Sequence, residues 1–308
     1  VAFIDLAQLI LPFAAIAWLG FAPAEGQRVR ALQMLGVVLF LVGAWLAGAW
    51  FYPPSDVKWL HGLLLALAIW RAASLPWGLT PASSVWSTSA LALMLGALGV
   101  FAIGQGLIGR VTPDRTVDLR PPLADGRFCV LSGGASPLLN WHMPMLSPPY
   151  PGSRGQSYAV DFVELDDDGL RARGLSPRPS DLEDYYIFGA PIVAPCSGRV
   201  VAAFDEIADS DMNGRRSAAL AGNHVILACG GYHVLLAHMR AGSVRVRRGE
   251  RVTVGDPLGR VGNSGFSEEP HLHIHVQRPP ERGKPAQSGD PVHMTFDGRF
   301  LARGDCLD

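Results

Sequence analysis

Three histidines alternate with aliphatic residues in Pro270-His271-Leu272-His273-Ile274-His275-Val276, a run that holds three of the chain's nine histidines. Alternation of period two is a strand pattern. It predicts the imidazoles on one face and Leu272, Ile274 and Val276 on the other. Neutral imidazole is a common zinc ligand, so a strand that points several the same way is a candidate metal site. Catalytic zinc takes about three protein ligands and keeps one position open for water. Further histidines can then move protons or stabilise a tetrahedral oxyanion. Upstream, the chain supplies more groups of the right type: His142 in Asn140-Trp141-His142, Asp161 between Val160 and Phe162, and His238 in Leu236-Ala237-His238-Met239. Asp is disfavoured inside a strand, so Asp161 calls for a partner or a metal.

The elements that must position these groups read as β structure. Phe128–Leu131 and Tyr158–Val163 are strand candidates. From Gly189 onward the pattern is all β: Pro191–Pro195, Arg199–Phe204, His224–Cys229, Tyr232–His238, Val244–Val246, Arg251–Val254 and Leu258–Val261, separated by glycine-containing turns. Gly230-Gly231 is a hairpin signal. Many short strands with regular turns indicate an antiparallel sandwich or open barrel. Asp166–Asp184 is polar and irregular and reads as a surface excursion. Its Asp166-Asp167-Asp168 run lacks the spacing of a calcium loop.

The rest of the chain differs sharply. Of 308 residues, 49% are hydrophobic and 17% charged, yet the segment up to about Gly109 is almost uncharged. Such a split predicts a membrane part followed by a soluble part. We expect a transmembrane helical anchor over 1–110, a linker over 111–126 around Pro121-Pro122, and a β-rich domain over 127–308. Leu6–Ala24, Met34–Tyr52 and Ser87–Leu107 each have the length of a bilayer span. Trp59–Trp70 is apolar but short: continued through Leu79 with Arg71 snorkelling it makes a fourth span, for about four helices, and otherwise it lies at the interface. Arg28, Arg30 and Arg71 in short loops place those loops in the cytoplasm and the C-terminal domain outside, with Lys58 partly offset by Asp56. Gln8, Gln33, His61 and Gln105 are isolated polar groups, expected to hydrogen-bond between helices rather than to line a transport path. The net charge of −1 gives no reason to expect nucleic acid as a partner.

All four cysteines, Cys129, Cys196, Cys229 and Cys306, fall in the soluble part without a C-x-x-C pair. That spacing speaks against a four-cysteine zinc site and fits disulfides in an oxidising compartment. Three pairings are possible, and free buried thiols remain an alternative.

Val193-Ala194-Pro195, Gly198-Arg199-Val200, Leu236-Ala237-His238-Met239, Gly249, Gly255, Gly262-Asn263-Ser264-Gly265 and Pro270-His271-Leu272-His273 occur in order and at the intervals of a known family. From about Ser157 to Val276 the chain resembles the lysostaphin/LytM-type zinc endopeptidases, which cut peptide bonds in bacterial peptidoglycan. The resemblance implies that family's β fold, a Zn2+ cofactor, Asp161 and His273 as metal ligands, and His238 and His271 as catalytic histidines. It places His275 behind the ligands. It also exposes a departure, because the family's first ligand is a histidine four residues before the aspartate, where this chain has Ser157. Either the site has lost its metal or another histidine fills the position, and His142 is the best placed. His224 and His233 lie away from every family ligand position. The expectation is a multi-pass protein of the bacterial inner membrane, with a zinc endopeptidase domain in the periplasm or on the outer face and peptidoglycan peptides as substrate. The alternative is an inactive domain of the same type that acts as a cell-wall binding or regulatory scaffold.

Overall fold

The computed structural model of the chain describes all residues except 1, 23–25, 52–56, 75–81, 125, 148–149, 175, 177, 213–218 and 308. It contains two compact units, Val1–Ile108 and Gly109–Asp308.

The first unit is helical: α1 (Ala2–Phe21), α2 (Gln27–Ala47), α3 (Val57–Ser74) and α4 (Ala82–Ile108). Among the described residues two helical stretches are long and apolar enough to cross a membrane, Gln27–Ala47 and Val85–Ile108. This corrects the expectation of about four spans. The described apolar stretch of α1, Gln8–Phe21, is short. Helix α3 has 18 residues and carries Lys58, His61 and Arg71, which dilute its hydropathy. Ala24, Tyr52, Asp56 and Leu79, which bounded the expected spans or flanked them, lie outside the described residues. Leu19, Val37 and Leu41 are fully buried where the helices pack. Of the four polar groups expected to hydrogen-bond between helices, Gln8 donates its amide to Ala49 O (3.1 Å) and accepts from Ala49 N–H (2.8 Å), just past α2, whereas among the described residues Gln33 Nε2, both His61 ring nitrogens and Gln105 Oε1 have no hydrogen-bond partner. Arg30, expected in a loop, is instead buried within α2.

The second unit is built from β1 (Thr116–Leu119), β2 (Phe128–Ser132), β3 (Val160–Glu164), β4 (Pro191–Val193), β5 (Gly198–Phe204), β6 (Asn223–Cys229), β7 (Tyr232–Met239), β8 (Arg251–Val252), β9 (Pro257–Arg260), β10 (Leu272–Gln277), β11 (Pro291–Phe296) and β12 (Cys306–Leu307). The main sheet runs β12-β2-β3-β10-β7-β6-β5-β8, with β11 also on β10 and β1 on β11. All its pairings are antiparallel except β1–β11, which is parallel and uses residues expected in a linker. Strands β4 and β9 form a second, two-stranded sheet. Ile192 of β4 and Leu258 of β9 join the same buried cluster as Leu272, Ile274 and Val276. The alternation in β10 thus sends its aliphatic side chains to the core and leaves the other face to histidine. Val244–Val246 is a loop and not a strand: Val244 N–H donates to the Asp205 carboxylate (3.0 Å), and a lone bond from Arg245 N–H to Leu258 O of β9 (2.9 Å) is not continued into a ladder.

Two disulfides, Cys129–Cys306 and Cys196–Cys229, leave no free cysteine. The first joins β12 to β2 at paired positions. The second ties the turn before β5 to the end of β6.

Candidate active site

Strand β10 is the centre of the sheet at this point, with β3 on one side and β7 on the other. Its register sets His273 directly opposite Asp161 on β3 and opposite Ala237 on β7. Side chains directly across a ladder share a face, about 5 Å apart at Cβ. His273 Nδ1 accordingly lies 3.0 Å from Asp161 Oδ1. Next along the same face, His275 places Nδ1 3.0 Å from His273 Nε2. His275 is fully buried, and its own Nε2 has no hydrogen-bond partner.

His142 enters from the loop that follows β2. Asn140 anchors that loop by donating its side-chain amide to Gly134 O (3.2 Å) and Ala159 O (3.1 Å). Asn140 Oδ1 accepts from His142 N–H at 3.0 Å and lies 3.2 Å from His142 Nδ1. An amide oxygen only accepts, so Nδ1 carries the proton there and Nε2 is the free lone pair. That Nε2 stands 3.5 Å from Asp161 Oδ2.

His238 and His271 complete the cluster. His271 immediately precedes β10; its Nδ1 lies 2.8 Å from Glu269 O, and its Nε2 is 3.8 Å from Asp161 Oδ1. His238, at the end of β7, has Nδ1 2.8 Å from Ser264 O, with its ring centroid 4.7 Å from that of His271. Both main-chain acceptors leave Nε2 as the lone-pair nitrogen. His238 has φ +60°, a conformation unusual for a residue other than glycine. Hydrogen bonds on both sides hold it: His238 N–H to Ala221 O (3.0 Å) and Gly262 N–H to His238 O (3.0 Å). Behind it two backbones touch. A Cβ on Gly222 would lie 2.3 Å from Ser264 O, and one on Gly265 would lie 2.4 Å from Gly222 N. With φ of +56° and +84°, both positions require glycine.

Electrostatics follow from the crowding. Burial alone would raise Asp161, but the imidazoles of His142, His271 and His273 outweigh it and hold the carboxylate well below its ordinary range. Burial lowers His142 to about 4, against the opposing pull of Asp161. Burial also lowers His238 well below 6.5, reinforced by His271 and His273. At neutral pH the cluster therefore offers an ionised carboxylate with neutral His142 and His238 beside it.

The donor atoms of His142, Asp161 and His273 lie within 4.8 Å of one another, as do those of His238, His271 and His273. In a tetrahedral zinc site with bonds of about 2.0–2.1 Å, ligand atoms sit roughly 3.4 Å apart. His273 Nδ1 lies 3.0 Å from Asp161 Oδ1 and His142 Nε2 lies 3.5 Å from Asp161 Oδ2, so each imidazole is near that distance from one of the two carboxylate oxygens. Two imidazoles and one carboxylate form a zinc donor set of the kind that keeps a fourth position open for water. Ser157 does not share the site: it is fully buried and its hydroxyl donates to Arg154 O at 2.7 Å. His224 Nδ1 is occupied with Gly222 O (2.8 Å), and His293 stacks on Tyr158 with centroids 3.7 Å apart.

The sequence reading did not identify the main-chain oxygens of Ser264 and Glu269, which orient two of the histidines, or the contacts of Asn140. It also did not identify Arg171, which forms a buried ion pair with Glu269 (Nε to Oε1 3.1 Å). The one available signal was an acid, Glu269, placed directly before the Pro-His-Leu-His run.

Comparison with known proteins finds similarity over part of the chain. Residues 184–301 match Peptidase family M23. The matched segment holds His238, His271 and His273, whereas His142 and Asp161 precede it. No curated protein matches. Among solved structures, the catalytic domain of the antimicrobial peptidase lysostaphin from Staphylococcus simulans is 23% identical, over 39% of this chain and 65% of that one, with a TM-score of 0.25. A zinc-containing peptidase from Vibrio cholerae is 19% identical, over 38% of this chain and 46% of that one, with a TM-score of 0.23. This chain thus spans about half to two thirds of the length of those structures.

Proposed function

We propose that this protein is a zinc-dependent endopeptidase that hydrolyses peptide bonds in bacterial peptidoglycan. In this reading the N-terminal helices hold it at the inner membrane, and the β domain lies in the periplasm or on the outer face. The observation that carries the reading is the convergence of His142, Asp161 and His273 donor atoms beside two more histidines with free Nε2 atoms. The Peptidase family M23 match supports the reaction class. The two disulfides support an oxidising compartment.

His142, Asp161 and His273 would hold the metal, His142 through Nε2 and His273 through Nδ1. Zinc bound there would polarise a substrate carbonyl and acidify a water. His271, whose Nδ1 proton is fixed on the Glu269 carbonyl so that the Nε2 lone pair is free, would be placed to take a proton from a water in the site. His238, its Nδ1 likewise on Ser264 O, stands beside it, and the proton taken up by His271 is the one returned, directly or through His238 Nε2, to the leaving amine. Neutral histidines are the correct starting state for proton uptake, and burial supplies that state for His238. The Ser157 substitution costs the site nothing in this reading, because His142 fills the third position from a different loop.

The test is zinc content and hydrolysis of a cross-linked muropeptide by the purified full chain, in wild type and His142→Ala. One zinc and hydrolysis in wild type, both lost in the variant, are expected. Zinc retained in both would move the third ligand elsewhere. No zinc and no hydrolysis in wild type would leave a binding scaffold.

A further inference from the structure

Arg171 lies in the polar excursion between β3 and β4, yet it is buried, as is Glu269, and the guanidinium Nε reaches both carboxylate oxygens (3.1 and 3.2 Å). The Arg171 guanidinium also lies 5.9 Å over the Tyr185 ring. Two buried charges persist only when each is paired and hydrogen-bonded, so this pair fixes the position of the chain at Glu269. That position matters because the main-chain oxygen of Glu269 is a hub. It accepts from Ser267 Oγ–H (2.8 Å) and lies 2.8 Å from His271 Nδ1. Ser267 Oγ is itself 3.2 Å from His271 Nδ1. A second arginine of the same excursion, Arg178, donates to Glu268 O at 3.3 Å. The excursion therefore grips the Ser267–His271 loop from one side, while Asp161 faces His271 Nε2 from the other.

We propose that Arg171 and Glu269 are positioning residues for His271. Their ion pair sets the Glu269 carbonyl, the carbonyl fixes the proton on His271 Nδ1, and Nε2 is thereby presented to the reacting water. The catalytic part rests on the function proposed above; the tautomer part does not. Arg171 precedes the family-matched residues 184–301 and Glu269 lies within them, so the device joins an upstream excursion to the matched segment.

The test replaces both charges at once, Arg171→Met with Glu269→Met, because removing one partner alone would strand a buried charge. Histidine-selective 15N NMR of the zinc-loaded full chain reads the His271 tautomer. Zinc analysis and muropeptide kinetics accompany it. The expected result is one zinc per chain, a His271 signal that changes from a single Nδ1–H tautomer to a mixture, and kcat lowered about 10- to 100-fold with KM unchanged. An unchanged tautomer in the folded double variant would overturn the proposal, and so would kcat within twofold of an active wild type. If the double variant does not fold, Arg171→Lys keeps the charge but loses the planar fork. A partial tautomer shift is then expected, and a spectrum identical to wild type would overturn the proposal. If wild type cuts no muropeptide but the tautomer still shifts, positioning stands and the proposed function falls.

Discussion

Asp161 and His273 face each other across paired strands, with His273 Nδ1 3.0 Å from Asp161 Oδ1. Around that pair the other histidines take distinct places. His142 approaches the second carboxylate oxygen, His271 comes near the first, and His275 stands behind His273. Each place makes a separate prediction.

His275 Nδ1 meets the far nitrogen of His273, so in the proposed site it should orient the ligand and not bind metal. His275→Phe is expected to lower zinc affinity about 10- to 100-fold without abolishing binding, the range typical of a partner behind a ligand. Competition with a chromophoric chelator measures it. A complete loss of zinc would instead make His275 a ligand.

Ser157 spends its hydroxyl on Arg154 O. Ser157→Ala should leave zinc stoichiometry and kcat unchanged and lower stability by about 1 kcal/mol, the net worth of a buried hydrogen bond. Chemical denaturation alongside metal analysis checks both parts.

His238 combines the chemical role proposed for it with a strained backbone, and glycine and alanine separate the two. Both variants should lose hydrolysis. At φ +60° glycine relieves a strain that alanine keeps, so His238→Gly should be more stable than His238→Ala by about 1 kcal/mol. Equal stability would mean the strain is absorbed elsewhere.

His293 stacks on Tyr158, and burial lowers it from 6.5 to about 4. Between those values the unfolded chain binds a proton that the folded chain refuses. Its contribution to stability is therefore complete above pH 6.5, declines as pH falls toward 4, and levels off below. His293→Phe keeps a ring on Tyr158 and removes the proton. The difference in Tm between wild type and variant should shift against wild type from pH 7 to pH 4.5, and a constant difference would exclude the effect.

Much of this was legible in the sequence because the signals were local. The period-two alternation of Leu272–Val276 gave β10 and the direction of its histidines, and Gly230-Gly231 joined β6 to β7. What stayed hidden was non-local. Strand β1 lies among residues that read as a linker, and its partner β11 comes more than 170 residues later, at His293 opposite Thr116. The two residues of β12 carry no period at all. Val244–Val246 has the apolar spacing of a strand, but the distant Asp205 side chain takes the Val244 N–H. Arg171 was concealed by its polar neighbours, since nothing in Asp166–Asp184 signals that one arginine turns inward to an acid 98 residues away. In the helical unit, apolar composition showed helices, but among the described residues two stretches are long and apolar enough to span a membrane, and α3 carries charge at both ends.

The order in which the chain is made has a consequence for the site. Asp161 and His273 are 112 residues apart, and β2 waits for its cysteine partner across 177 residues. A chain emerging from its N-terminal side therefore exposes Asp161 and His142 long before the histidines of β10 arrive. If the site cuts the polymer that surrounds its host, the nascent enzyme is harmless throughout its own synthesis: its cutting edge exists only once nearly all of the β unit has been delivered and folded.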